Sequence, residues 1–371
     1  MKIPFHIPFL TGKEEEYISA SIKASNPNGS VSYIEDCESK LVEITKSPFV
    51  LLTGSCTHAM EMSLLLLEIQ AGDEIICPSF TYVSVVNVIL ARGATPVFID
   101  CHDHNCNIDD SLIERAITPK TKAFIIMHYA GVACNMSRIS SIVKTYGISL
   151  IEDAAHCIHA YHQNHHLGTY GDFGALSFHK TKNIHCIQGG ALLIKKPKHY
   201  ERAIVLRDMG TNKKAFVDGT VNAYTWVDIG NSFGINPLSA AFLYSQLDKS
   251  YDVRNERLIL WNYYNEQLAK INNEWRKDIS EHNAHIYYVL CADEDERNQL
   301  ILYLKEQGID ARFHYMPLHS SAMGHQYRYI HDDDHSSQIS QRIVRLPLYT
   351  GLTHAEIDQV VNEISKFYHE T

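Results

Sequence analysis

Lys182 and Asp153 are the residues whose types and spacing say most about chemistry. Lys182 lies in Ser177-Phe178-His179-Lys180-Thr181-Lys182-Asn183, shortly before Gly189-Gly190. Asp153 closes the run Ile148-Ser149-Leu150-Ile151-Glu152-Asp153. A lysine after one strand and an acid ending an earlier strand are the pair that pyridoxal phosphate (PLP) chemistry needs. The amine forms a Schiff base with the cofactor aldehyde. The carboxylate pairs with the pyridinium nitrogen and keeps the ring an electron sink. Lys180 competes for the amine's role, and spacing alone does not separate the two. Two solvated lysines and a helix-capping aspartate are the plainer readings. His156, three residues past Asp153, could hydrogen-bond the cofactor's phenolate oxygen, although a single histidine is more often structural.

Two further segments fit the same chemistry. Thr53-Gly54-Ser55-Cys56-Thr57 follows an apolar run and opens a helix. Free N–H groups at a helix start bind phosphate, and ordinary N-capping by Ser55 or Thr57 explains the same residues. The segment has neither the spacing of a P-loop nor a GxGxxG fingerprint, which weighs against a nucleotide-sugar dehydrogenase or epimerase. In Pro78-Ser79-Phe80-Thr81-Tyr82, the Tyr82 ring could stack on a flat cofactor, with Phe80 behind it; core packing accounts for either ring taken alone. His162, His165 and His166 invite a metal reading, but a turn between two strands explains them more simply, and no metal is expected.

These residues need a scaffold that brings strand ends together. Short apolar runs recur at 49–52, 74–77, 96–100, 123–127, 148–151 and 191–194. Runs of this kind suit strands buried on both faces. Helical stretches at 57–70 and 136–146 lie between them. The alternation predicts an α/β fold with a mostly parallel sheet and functional groups at the strands' carboxyl ends. A long helix is expected from Asn236 through Gln246 to Arg257. Beyond it, strands are expected at 285–290 and 310–315, a helix at 294–307, and an exposed polar loop at 331–337. The expected division is a large domain over 1–245, whose N-terminal segment packs with the other unit, and a small domain over 246–371.

Composition excludes several classes. The 371 residues carry 33 Lys+Arg against 43 Asp+Glu, a formal net charge of -10. Nucleic acid and anionic membranes need the opposite field, so neither is an expected partner. The nine cysteines are scattered without a CxxC pair, which reads as reduced thiols in the cytoplasm. No run reaches membrane-spanning length, and the N-terminus lacks an apolar signal core.

In combination the motifs resemble the DegT/DnrJ/EryC1/StrS sugar aminotransferase family, PLP enzymes of fold type I (aspartate aminotransferase-like). They are Gly72-Asp73-Glu74 leading to Pro78-Ser79-Phe80-Thr81, Glu152-Asp153-Ala154-Ala155-His156, Ser177-Phe178-His179 with Lys182-Asn183, and His314-Tyr315-Met316-Pro317-Leu318-His319. The resemblance extends from Ile3 to Leu348 and implies Lys182 as the Schiff-base lysine and Asp153 as the pyridinium partner. It further implies His156 near the phenolate oxygen, Cys56, Thr57 and Ser177 at the phosphate, and Tyr82 on the ring. Ser232 falls where many relatives place an Asn that reaches the phosphate of a neighbouring subunit, which implies a homodimer with shared active sites.

The implied reaction moves the amino group of L-glutamate to C4 of a dTDP-4-keto-6-deoxy sugar, for bacterial O-antigen or other lipopolysaccharide synthesis. Three stretches, at 128–134, 210–212 and 224–230, carry a closer resemblance to the branch of the family that makes the galacto product, although no motif fixes the face of attack. The gluco isomer, C3 amination and a non-catalytic PLP-binding protein are the alternatives. Ile187-Gln188 replaces the family's usual Gly-Glu or Gly-Asp before the Gly pair, and Gly234 stands where many relatives have Arg.

Overall fold

In the computed structural model, residues 2–24, 32–277, 279 and 281–370 are described. The apolar runs become strands β1 (Phe49–Thr53), β2 (Glu74–Pro78), β3 (Thr95–Ile99), β4 (Thr121–Met127) and β5 (Ser149–Asp153). A small hairpin follows, β6 (Tyr161–His162) and β7 (His165–His166), and then β8 (Phe173–Ser177) and β9 (Gly190–Ile194). Later in the chain come β10 (Tyr287–Leu290), β11 (Tyr329–Ile330) and β12 (Ile343–Leu346).

The main sheet has the order β1-β9-β8-β5-β4-β2-β3-β11. All pairings are parallel except those of β9, which runs against both β1 and β8. Every strand except β9 therefore ends at one edge, and β9 begins there. Alternate residues feed opposite layers, as the pleat dictates. Leu51, Ile75, Ile125 and Ile151 pack beneath the helices Cys56–Leu66, Ser84–Ala91 and Pro197–Arg207. Val50, Leu52, Ile76, Phe124 and Leu150 enter clusters on the other face, with the helices Tyr33–Thr45, Met136–Tyr146 and Pro237–Asp248.

A separate core holds the C-terminal part of the chain. It joins the paired strands β10 and β12 to the helices Ser250–Leu268, Glu294–Glu306 and His354–Glu370. Ile3 belongs to this core and bridges Ile309.

Three expectations change, and one element was not foreseen. The long helix is two helices, Pro237–Asp248 and Ser250–Leu268, because Lys249 departs from helical backbone (φ -106°, ψ 4°). Residues 310–315 form no strand; they make one bridge, Arg312 to Arg345, before Pro317 removes a backbone donor. The polar segment at 331–337 is only partly a loop. Asp334 caps the helix His335–Arg342, and the Asp100 carboxylate accepts the N–H groups of His335 and Ser336, burying Ser336. The edge strand β11, which pairs with β3, carries no sequence signal longer than two residues.

The histidine tract is a tight hairpin, with Gln163 and Asn164 at positive φ in its turn. Among the described residues, no group of three or more His, Cys, Asp or Glu could hold a metal ion. Nor is any described helix long and apolar enough to cross a membrane.

Candidate active site

β5 delivers Asp153 to the common edge, where the carboxylate is buried. Its Oδ1 accepts the Ala155 N–H at 3.1 Å and faces the Cys56 thiol at 3.9 Å. Among the described residues, Oδ2 takes no hydrogen bond. Burial raises the Asp153 pKa, partly offset by the Ala155 N–H and by Lys182. A buried carboxylate held this way lacks a full counter-charge. A protonated ring nitrogen would supply one.

Lys182 follows β8 and is partly exposed, whereas Lys180 is exposed. Burial lowers the Lys182 pKa, opposed chiefly by the Asp153 carboxylate. Of the two lysines that the sequence left in competition, Lys182 is the less exposed, and the Asp153 carboxylate acts on its amine. A lowered pKa leaves more of the amine in the neutral, nucleophilic form.

The start of the helix Cys56–Leu66 faces the same edge. Ser55 caps it by accepting the His58 N–H at 3.1 Å. No acceptor within the chain takes the N–H groups of Cys56 and Thr57 among the described residues. The Cys56 thiol turns instead toward the Ala175 carbonyl, 3.5 Å away, and burial holds its pKa well up, so it stays protonated. Any phosphate contact from Cys56 is therefore through its backbone. Gly190 passes so close that a Cβ there would lie 2.4 Å from the Cys56 nitrogen. Ser177, half-buried, pairs directly with Gly190 across β8 and β9, which places it beside the same helix start. Two free N–H groups at a helix N-terminus, with a hydroxyl beside them, fit a phosphate.

His156 is buried, and its Nδ1 accepts the Ala130 N–H at 3.2 Å. Ala130 adopts left-handed backbone (φ 58°) in the turn Tyr129–Gly131, which presents that N–H. Burial, then Lys182, His314 and Arg345, push the His156 pKa well down. The ring is neutral with its proton on Nε2, a donor suited to a phenolate oxygen. Tyr82 lies past the end of β2 and is 58 % exposed, with its ring 6.4 Å from that of Tyr315. Ser232 is exposed beside Phe233, whose carbonyl accepts the Gly54 N–H. The positions of the eight candidates thus converge on one sheet edge, with Tyr82 and Ser232 facing solvent.

Several supporting residues escaped sequence reasoning. Glu152, fully buried, accepts hydrogen bonds from His128 Nε2 (2.9 Å), Gly168 N (2.7 Å) and Gly171 N (2.7 Å). Tyr129 bonds the His314 ring at 2.9 Å, and the His285 ring lies 4.4 Å from that of His156. The only signal for the first of these was the doubled acid Glu152-Asp153, whose alternating directions along β5 give the two carboxylates opposite duties.

A sheet with one reversed strand, carrying a glycine past a helix start and a lysine beyond its neighbour, is the build of a fold type I PLP enzyme. Comparison with known proteins narrows that class. Residues 11–365 match the DegT/DnrJ/EryC1/StrS aminotransferase family, and the chain belongs to it. It is a PLP-dependent sugar aminotransferase. GDP-perosamine synthase of Escherichia coli O157:H7 is 28 % identical over 370 residues, spanning 99 % of this chain and 98 % of that one. An uncharacterized Methanocaldococcus jannaschii protein is 31 % identical over 335 residues, 87 % of each chain. Among solved structures, the Helicobacter pylori aminotransferase of pseudoaminic acid biosynthesis superposes with a TM-score of 0.88 at 22 % identity, covering 100 % of both chains. The PLP form of a Streptococcus pneumoniae protein described as a sugar aminotransferase gives 0.87 at 24 %, covering 99 % of both. At these identities the solved structures speak for the fold.

Proposed function

We propose that the chain transfers the amino group of L-glutamate to C4 of dTDP-4-keto-6-deoxyglucose, giving the galacto isomer of a dTDP-4-amino-4,6-dideoxy sugar. The observation that carries the transfer chemistry is the coupling of Lys182 to the buried Asp153 beside a free helix start. When bound, PLP supplies an electron sink for the substrate carbon that loses a proton. Lys182 Nζ would hold the cofactor aldehyde and, once the donor amine has displaced it, would serve as the base that takes the donor's Cα proton and passes it on. Asp153 keeps the ring nitrogen protonated. His156 Nε2–H donates to the phenolate oxygen. The N–H groups of Cys56 and Thr57, with the Ser177 hydroxyl, bind the phosphate, and Tyr82 covers the ring face.

The site is assigned to a homodimer. Met209, Phe216, Val217, Tyr224, Trp226, Val227 and Ile229 form an exposed apolar run that leads to Ser232, and Trp226 is 75 % exposed. Apolar surface of this extent on one segment favours burial against a second copy. Ser232 would then reach the partner's phosphate site. Nine buried free cysteines favour a reducing compartment, and we place the reaction in the cytoplasm, serving surface polysaccharide synthesis. The two cores favour a large domain over 1–245 and a small one over 246–371, with Leu318 and β11 of the second range packing on the large unit.

A second reading, favoured by the likeness to GDP-perosamine synthase, is amination of a GDP-linked keto sugar. Incubation with L-glutamate and each nucleotide sugar, followed by NMR of the product, separates them. The dTDP reading expects product only from the dTDP sugar, with a small H3–H4 coupling that marks an axial amine. A large coupling would assign the gluco isomer. Product only from the GDP sugar would overturn the reading.

A further inference from the structure

The Asn183 side chain ties two parts of the candidate site together. Asn183 directly follows Lys182 and is buried. Its Nδ2 donates to the Asn283 carbonyl at 3.0 Å. Its Oδ1 faces the His285 ring, whose Nδ1 lies 2.8 Å away. An amide oxygen only accepts, so His285 Nδ1 carries the ring's proton. Burial, then His156 and Lys182, push the His285 pKa well down, and the ring is neutral. One amide thus sets both the orientation and the tautomer of an imidazole that lies two residues before β10.

Both partners of Asn183 act on His156. Asn283 Nδ2 donates to the His156 carbonyl at 2.7 Å and to the Ile158 carbonyl at 2.8 Å. Asn283 Oδ1 abuts the turn whose Ala130 N–H bonds His156 Nδ1: a Cβ at Gly131 would lie 2.2 Å from it. The His285 ring lies 4.4 Å from the His156 ring, tilted by 40°. Asn283 therefore holds the backbone of His156, His285 backs its ring, and Asn183 bonds both. PLP chemistry gives such a clamp a purpose. The cofactor's aldehyde carbon and phenolate oxygen sit on adjacent ring atoms. An amine bound to the first and an imidazole donating to the second must keep a fixed spacing. A lysine side chain is a flexible stem, so its own backbone does not set that spacing.

We propose that Asn183 is a positioning residue that sets the spacing between Lys182 and His156, acting through Asn283 and His285. The inference rests on the cofactor reading above and is independent of which nucleotide sugar the chain accepts. The test uses the PLP-loaded protein with Asn183→Leu, with His285→Phe and with both. His285→Phe keeps a ring beside His156, removes the bond to Asn183 and, because the histidine is neutral, removes no charge. Lys182, His314 and Arg345, which act electrostatically on His156, stay in place. A displaced His156 donates less to the phenolate oxygen, which then holds the proton on Lys182 Nζ more firmly. The pH at which the visible band changes should therefore rise by about one unit in each variant. The value of kcat should fall about 10–100-fold, while KM for L-glutamate moves less than about threefold. The double variant should fall no further than the worse single one, since the two residues act as a unit. Thermal midpoints of the cofactor-free variants show which of them fold, and His285→Phe carries the test if Asn183→Leu does not. A normal wild-type band whose pH midpoint His285→Phe leaves unmoved would overturn this inference alone. Additive losses in the double variant would overturn it too, because the residues would then act independently. No visible band in wild type on adding PLP would overturn the cofactor reading and this inference with it.

Discussion

The Cys56 thiol lies 3.9 Å from the Asp153 carboxylate, so a helix start and a strand end from distant parts of the chain meet at one point. One offers free N–H groups and the other a buried acid, the two ends that the proposed phosphate and ring-nitrogen contacts require. Their proximity sets the span over which a flat phosphorylated cofactor fits. It also ties the acid to a neutral donor, because burial keeps the thiol protonated.

Asp153→Asn should still bind PLP but lose activity by about 10²–10³-fold, since a neutral amide does not hold the ring nitrogen protonated. A steady-state assay checks this. Stability adds a sign. The folded pKa of Asp153 is raised by burial, so the stability the residue contributes to the cofactor-free protein is present at acid pH and lost as pH rises through the folded value. At neutral pH, Asp153→Asn should therefore leave the cofactor-free protein at least as stable as wild type. Saturating PLP should raise the thermal midpoint of wild type by more than that of the variant. An equal rise in both would remove the pairing.

Glu152→Ala should destabilise the protein by about 3–5 kcal/mol, because it strips the acceptor from three buried donors. Urea titration reads this as a lower midpoint at constant slope. Glu152→Gln keeps one acceptor oxygen and should lose less.

Tyr82→Ala should weaken PLP binding by about 3–10-fold, the worth of one aromatic stack. Equilibrium dialysis checks it, and Tyr82→Phe should bind as wild type does. Because the ring is solvent-exposed, folding stability should hardly change.

Trp226→Glu should shift the chain toward monomer in sedimentation velocity and lower activity in step. A burial-driven contact does not survive a charge at its centre. A variant that remains dimeric and fully active would place the interface elsewhere.

The main sheet was legible because buried parallel strands are written as unbroken apolar runs; β1, β4 and β9 were each visible in that way. Asp153 and the Lys182 segment were legible because strand ends are where such sheets carry function. Less was visible where tertiary partners decide. Ser336 reads as loop because its burial depends on Asp100, more than two hundred residues earlier. Lys180 and Lys182 are two residues apart in sequence and differ in burial, which only the fold reveals: Lys180 is exposed and Lys182 partly buried.

The most direct test of the account is a stopped-flow absorbance trace of the PLP-loaded protein mixed with L-glutamate, run on wild type and on Lys182→Ala. Wild type should bleach its visible band as the amino group moves, and a keto sugar should restore it. Lys182→Ala should slow the bleaching by about 10³-fold or more, because the variant lacks the amine proposed to move the proton. Bleaching at the wild-type rate without Lys182 would contradict the account.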